Sequence, residues 1–204
     1  MSYDPPMLEQ RIQQQFFDSA DLKYQAAETL TRPIAAAVQA VMGCITAGGK
    51  VLACGNGGSA SDAQHFAAEF IGRFERERPG LAAIALTTDS SILTAVGNDY
   101  DFSQVFSKQV QALGSPGDVL LAISTSGNSA NVLAAVEAAH AKDMTVIALT
   151  GRGGGKMGAL LTDTDVHICV PHERTARIQE VHILAIHCIC DAVDLQLLGE
   201  QDNA

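Results

Sequence analysis

The sequence predicts a three-layer α/β fold: a parallel sheet of five strands covered by helices on both faces, with additional N-terminal helices. Two observations predict it. From Lys50 onward, short runs that are apolar throughout alternate with stretches of helical spacing, the pattern of strands buried on both faces. Ahead of them, Gln, Ala, Leu and Ile recur at helical intervals with no strand-like run among them.

Taken in order, two helices are expected over Leu8–Phe17 and Ala26–Ile45. The strands are expected over Val51–Cys54, Ala82–Leu86, Val119–Ile123, Val146–Leu149 and Val166–Val170. A last helix runs from Thr175 through His187, with polar groups set in an apolar stretch. The 204 residues then divide into a helical arm over 1–48, one α/β domain over 49–199 and a tail over 200–204. Gly151–Gly155 reads as a mobile turn after the fourth strand. It is no Walker loop, because Met157 follows Lys156.

Composition narrows the partners. A formal net charge of −10 argues against a nucleic-acid backbone or an anionic membrane, since both reward clustered Lys and Arg. A small anion held by neutral donors is compatible with it. Cys44, Cys54, Cys169, Cys188 and Cys190 are odd in number, lack Cys-x-x-Cys spacing and read as reduced core residues. No segment has the order of a signal peptide and no apolar run is read as long enough to span a bilayer, so the cytoplasm is the expected location.

In parallel sheets the ligand sits beyond the carboxyl ends of the strands, where loops feed helix N-termini. The loop after the first strand, Gly55-Asn56-Gly57-Gly58-Ser59-Ala60-Ser61, can turn free backbone N–H groups toward an anion. It also fits a loose dinucleotide fingerprint, but the acidic residue wanted ~20 positions later is missing, Asp89 lying farther on. A plain strand-to-helix turn is the bland alternative. The loop after the third strand, Ser124-Thr125-Ser126-Gly127-Asn128-Ser129, concentrates hydroxyls before a helix starting near Ala130. Ser129 is explained as an N-cap, but one cap does not account for Ser124, Thr125 and Ser126, and phosphate binding does.

His65 and Glu69 share one helical face, a spacing that suits a metal ion and equally a surface pair. In the last helix Gln179, His182 and His187 are polar groups needing partners. His182 and His187 lie on opposite sides of Gln179, so geometry does not choose between them, and either serves as a hydrogen-bonded core histidine. Gln179 and His187 stand ~12 Å apart along the axis, near the limit for sharing one ligand, which leaves contribution from two subunits open.

Together, Cys-Gly-Asn-Gly-Gly-Ser with His65-Phe66-Ala67-Ala68-Glu69, Val96-Gly97-Asn98-Asp99, Ile123-Ser124-Thr125-Ser126-Gly127-Asn128-Ser129, and Arg177-Ile178-Gln179-Glu180 ending at His187 resemble the bacterial phosphoheptose isomerase family of sugar-isomerase (SIS) domains, over nearly the whole chain. The resemblance implies a flavodoxin-like sheet and an aldose–ketose isomerase that converts D-sedoheptulose 7-phosphate to D-glycero-D-manno-heptose 7-phosphate, for the heptose precursors of lipopolysaccharide. It implies substrate contacts from Asn56, Gly57, Gly58, Ser59, Glu69, Asn98, Asp99, Ser124, Thr125, Ser126, Ser129 and Gln179. It further implies one zinc per subunit on His65, Glu69, Gln179 and His187, choosing His187 over His182, with Glu69 and His187 catalytic. Homotetramers with sites at subunit contacts follow for the family, which gives the N-terminal helices an assembly role. Ala176 stands where some members carry an aspartate, and that aspartate's role does not transfer. The same segment resembles a branch of DnaA initiator-associating replication regulators, which would bind an initiator protein instead. That branch lacks counterparts of Glu69 and His187, so the enzyme is the favoured reading; a sugar-phosphate-sensing or nucleotide-binding module is the third.

Overall fold

Five strands, Val51–Gly55 (β1), Ala83–Ala85 (β2), Val119–Ser124 (β3), Thr145–Thr150 (β4) and Val166–Cys169 (β5), form one parallel sheet in the order β2-β1-β3-β4-β5. This is the flavodoxin-like order. The computed structural model describes residues 5–200, so the tail expected over 200–204 lies, beyond its first residue, outside the described residues. β1 and β3 are buried at every position, which is why they read as continuous apolar runs. β2 is an edge strand with Ile84 exposed, and its ladder is shorter than the apolar run that signalled it.

Alternate strand residues feed two cores. Val51 and Ala53 of β1 join Leu121, Ile123, Phe66, Phe70, Ile178 and Ile186 on one face. Leu52 and Cys54 join Leu86, Phe106, Leu120, Val136 and Met157 on the other. The first face is covered by Pro5–Thr46 (α1), Gly58–Ile71 (α2) and Thr175–Leu198 (α7). The second is covered by Ser107–Leu113 (α4), Ala130–His140 (α5) and Gly155–Leu160 (α6), with Ser90–Asp99 (α3), which buries no residue fully, at its margin.

The two expected N-terminal helices are one, 42 residues long. Leu22, Ala26 and Leu30 carry the buried stripe of α1 across the interval between the two expected helices, and Ala37, Val38, Val41 and Cys44 extend it past Pro33. A proline removes one helical hydrogen bond, and burial of that stripe against the sheet and α7 outweighs the loss. The arm is therefore built into the first core.

α7 has the length and mean hydropathy, 1.6, of a membrane-crossing helix, which the sequence reading did not assign to it. Ile178, Val181, Ala185, Ile186, Ile189 and Val193 bury that apolar face inside the protein. All five cysteines are free. Burial pushes the thiols of Cys54 and Cys190 up to about 12, so they are inert at neutral pH. Cys188 departs from the core reading, being exposed.

His182 is fully buried in α7 and its Nε2 donates to the carbonyl of Thr150 at 2.9 Å. Burial pulls its pKa down to about 4 from the ordinary 6.5, only partly offset by the Thr150 bond. The unfolded chain therefore binds a proton that the folded chain refuses, and the stability His182 supports is complete above ~6.5 and lost as pH falls toward 4. Unfolding free energy measured in urea between pH 7 and 4.5 should fall more steeply for wild type than for His182→Gln, by on the order of 3 kcal/mol across the full titration. Identical slopes would remove His182 as the acid-sensitive group.

Candidate functional site

Strand order reverses between β1 and β3, so the loops that follow them lie side by side. At Gly55 a Cβ would meet the Ser59 carbonyl oxygen at 2.6 Å, so only glycine lets the first loop fold this tightly onto α2. Gly57 caps α2 at φ +56° without a side-chain cap, and Ser59 is buried just inside the helix. Asn56 and the buried Asn131 of α5 exchange two amide hydrogen bonds of 2.8 Å each, which ties the first loop to the helix that follows the second.

The second loop turns its hydroxyls on one another. Ser124 Oγ lies 2.9 Å from Ser129 Oγ and 3.5 Å from Ser126 Oγ. Ser129 occupies the N-cap position of α5, yet its side chain makes no cap bond. The capping expectation thus fails, because the hydroxyl is taken by Ser124. The glycine cluster Gly151–Gly155 is likewise no free turn: Gly151 N–H donates to Thr125 O at 3.1 Å, and Met157 N–H, just past the cluster, donates to Gly127 O at 2.9 Å. Asn128 Oδ1 also accepts from Lys156 N–H at 3.0 Å. A Cβ on Gly127, at φ +63°, would collide with the Gly154 carbonyl, and one on Gly155 with the Ser126 carbonyl. The cluster is glycine because it is the seat of the second loop.

Past the first loop, α2 meets α7. His65 Nε2 lies 2.9 Å from His187 Nε2 and 3.2 Å from Glu69 Oε1, and the Phe74 ring sits 5.5 Å from the His187 ring. His182 faces the core instead, which separates the two histidines by environment. Gln179 places its amide against Gly58, nearer the loops. Both contacts advance in the same direction along the two helices, so α2 and α7 run parallel at this seam. Arg78 fixes it: its fully buried guanidinium pairs with Asp194 of α7 and donates to the carbonyls of Glu69 and Phe70 at 2.9 and 3.0 Å.

Two neutral imidazoles and a carboxylate are suitable donors for a cation such as zinc. The two ring nitrogens stand as partners of one hydrogen bond, and among the described residues no three His, Cys, Asp or Glu side chains are arranged as a formed metal site. Gln179 borders the three from the loop side without a hydrogen bond to them. Asn98 and Asp99 do not join: they are exposed at the end of α3, where Asn98 Nδ2 donates to Asp99 Oδ1 at 2.9 Å. A cavity of about 210 Å³ lined by Phe74, Glu75, Arg76, Asp191, Asp194 and Leu195 lies behind the trio, and we place the chemistry at the loops and the trio because the convergent polar groups are there.

Several participants escaped sequence reasoning. Asn131 stands two residues after the serine loop, a signal that was present. Arg78 and Asp194 are too far apart in the chain to signal each other. Asp62, one turn before His65, was legible by helical spacing. Burial pushes its carboxyl up to about 6 against the opposing pull of His65, and its Oδ2 is buried without a hydrogen-bond partner.

Comparison with known proteins agrees with this geometry. The SIS domain family model matches residues 15–151. The chain is 86% identical over 196 residues to a phosphoheptose isomerase of Methylibium petroleiphilum, covering 96% of this chain and 98% of that one. The solved phosphoheptose isomerase GmhA of Neisseria gonorrhoeae superposes with a TM-score of 0.88 at 59% identity, covering 92% and 98% of the two chains. That of Francisella tularensis superposes with a TM-score of 0.88 at 49% identity, covering 91% and 97%.

The seating of the second loop on the glycine cluster yields a direct test. Gly127→Ala places a side chain at positive φ and against a carbonyl, so thermal unfolding should show a loss of about 2 kcal/mol or more. Gly153→Ala, also at positive φ but with open space around it, should lose only the conformational part, about 1–2 kcal/mol. Equal losses would mean that the loops do not touch as described.

Proposed function

The chain belongs to the SIS-domain family, in its phosphoheptose isomerase branch, and from that premise we propose that it interconverts D-sedoheptulose 7-phosphate and D-glycero-D-manno-heptose 7-phosphate. The observation that carries the reading is the contact of His65, Glu69 and His187 beside two loops of hydroxyls and backbone amides. Anion-binding loops and proton-transfer groups within one groove are what a sugar-phosphate isomerase requires.

Ser124, Thr125, Ser126 and Ser129, with Ser59 and the Asn56-Gly57-Gly58 turn, are assigned to the phosphate and the adjoining part of the chain. Hydroxyls and helix N-termini hold a dianion without lysine, in keeping with an acidic protein. Binding at this unreactive end aligns the reacting carbons at the other. Isomerisation removes a proton from C1 of the ketose and returns it to C2 through an enediol(ate), while the oxygen proton passes from O1 to O2. Glu69 is assigned the carbon proton and His187 the oxygen proton, with Gln179 orienting the substrate. His65, Glu69, His187 and Gln179 would hold zinc, one per chain, which when bound polarises the carbonyl. We further read the enzyme as cytoplasmic, serving lipopolysaccharide heptose synthesis, and as a homotetramer. Exposed Leu8, Ile12, Phe16 and Phe17 on α1 supply an apolar face for assembly, and a site shared between subunits would give Asn98 and Asp99 the substrate role they lack in one chain.

Purified protein incubated with sedoheptulose 7-phosphate should form the aldoheptose phosphate by NMR; no product at equilibrium-scale times refutes the reaction. Glu69→Gln and His187→Gln should each lower kcat by ~10² or more with circular dichroism unchanged, the scale of a positioned acid or base. Wild-type turnover in both would remove them from the mechanism.

Zinc has its own measurement. Elemental analysis should find about one zinc per chain in wild type and in His182→Ala, and substantially less in His65→Ala, since only His65 belongs to the trio. Equal zinc in the two variants would defeat the metal assignment.

A further inference from the structure

The two loops assigned to the phosphate are held with unequal firmness. In the second, the Thr125 and Gly127 carbonyls accept from Gly151 and Met157 N–H, and Asn128 Oδ1 accepts from Lys156 N–H. The first has less support. Gly57 enters α2 without a side-chain cap. Beyond the sheet ladder, the only hydrogen bonds among the described residues that join residues 56–61 to the second loop or to α5 are the two between Asn56 and Asn131. Asn131 stands in the first turn of α5, the helix into which the second loop opens.

Among the residues that α5 buries, Asn131 is the one polar side chain, beside Val132, Ala135 and Val136. A buried amide needs partners, and Asn56 supplies both of its hydrogen bonds. Each primary amide offers two N–H donors and an oxygen with two lone pairs. The reciprocal pair takes one N–H and one lone pair from each residue, so the half-buried Asn56 amide is held at two points and cannot rotate freely. Asn131 itself is only 3% exposed, so its influence on a ligand passes through Asn56.

We propose that Asn131 is a positioning residue for the phosphate end of the substrate: it locks Asn56 and sets the first loop against the second before a ligand arrives, so that both loops meet one anion. The inference rests on the sugar-phosphate reading above. An anion held by donors from two loops is sensitive to the spacing between them, and a loop that has to be ordered during binding lowers affinity by the cost of ordering it. The acid–base groups are supplied from elsewhere, by α2 and α7. Loss of Asn131 therefore falls on KM rather than kcat.

Steady-state kinetics with sedoheptulose 7-phosphate, and its inhibition by inorganic phosphate, test this in wild type, Asn131→Ala, Asn131→Leu, Asn56→Ala and the double variants. Asn131→Ala and Asn131→Leu should each raise KM about five- to tenfold, the scale of one to two neutral hydrogen bonds. Their kcat should stay within about threefold of wild type, and inorganic phosphate should inhibit them less. In the Asn56→Ala background, the same substitutions should move KM by less than about twofold, because the residue they act through is gone. A merely structural role would lower the melting temperature and leave these ratios alone. Asn131→Leu, of similar size, carries the test should Asn131→Ala fail to fold by circular dichroism. An unchanged KM in a folded variant, a loss confined to kcat, or the same rise in KM with and without Asn56 overturns the positioning role while leaving the isomerase reading standing. A wild type that does not turn over sedoheptulose 7-phosphate overturns the isomerase reading, and the role of Asn131 with it.

Discussion

The reversal of strand order between β1 and β3 is the constraint on which the rest of this structure depends. Parallel strands need helical crossovers, and the chain leaves β1 for one edge before returning to the other side of it. Only at that point do two strand-to-helix loops open beside each other without a helix between them. The reciprocal Asn56–Asn131 amide pair fastens one loop to the helix behind the other. Gly151–Gly155, after the next strand, supports the second loop from beneath. Three consecutive carboxyl ends of the sheet are thereby joined into one surface.

Placing His65, Glu69 and His187 next to that surface requires a helix that starts there and a second that runs alongside it. α2 meets the first requirement, since its N-terminus opens from the glycine loop and His65 and Glu69 follow within about three turns. α7 is delivered from the far edge strand and is held against α2 by the buried Arg78–Asp194 pair. Removing one member of such a pair leaves an uncompensated charge, typically at a cost of about 3–5 kcal/mol. Arg78 also donates to the carbonyl of Glu69, so the same guanidinium that docks α7 stabilises the end of α2 that carries Glu69. The fold is stabilised and the site aligned by one interaction.

The second loop offers an anion hydroxyls and backbone amides at a helix start rather than lysines. Ser124 Oγ lies within hydrogen-bonding reach of both Ser126 Oγ and Ser129 Oγ.

Local pattern determined a good part of this protein. The central strands β1 and β3 were legible because each is buried at every position, and the others because enough of each stays apolar to stand out between helical stretches. The two loops were legible because close backbone approach demands glycine in the first and because hydroxyls are concentrated at a helix start in the second. His65 and Glu69 were paired by helical spacing alone. What the sequence did not determine is everything that rests on contacts between distant segments. Two helices were expected over Leu8–Phe17 and Ala26–Ile45, yet Leu22, buried in the first core between them, belongs to one unbroken helix. His182 and His187 were equivalent by periodicity. Tertiary packing separated them, burying one against Thr150 and turning the other to His65. The glycine cluster resembled a mobile turn because nothing local reveals that another loop lies on it. Tertiary structure decided these points because burial and hydrogen-bond partnership are properties of pairs of segments, and a one-dimensional pattern records only one member of each pair.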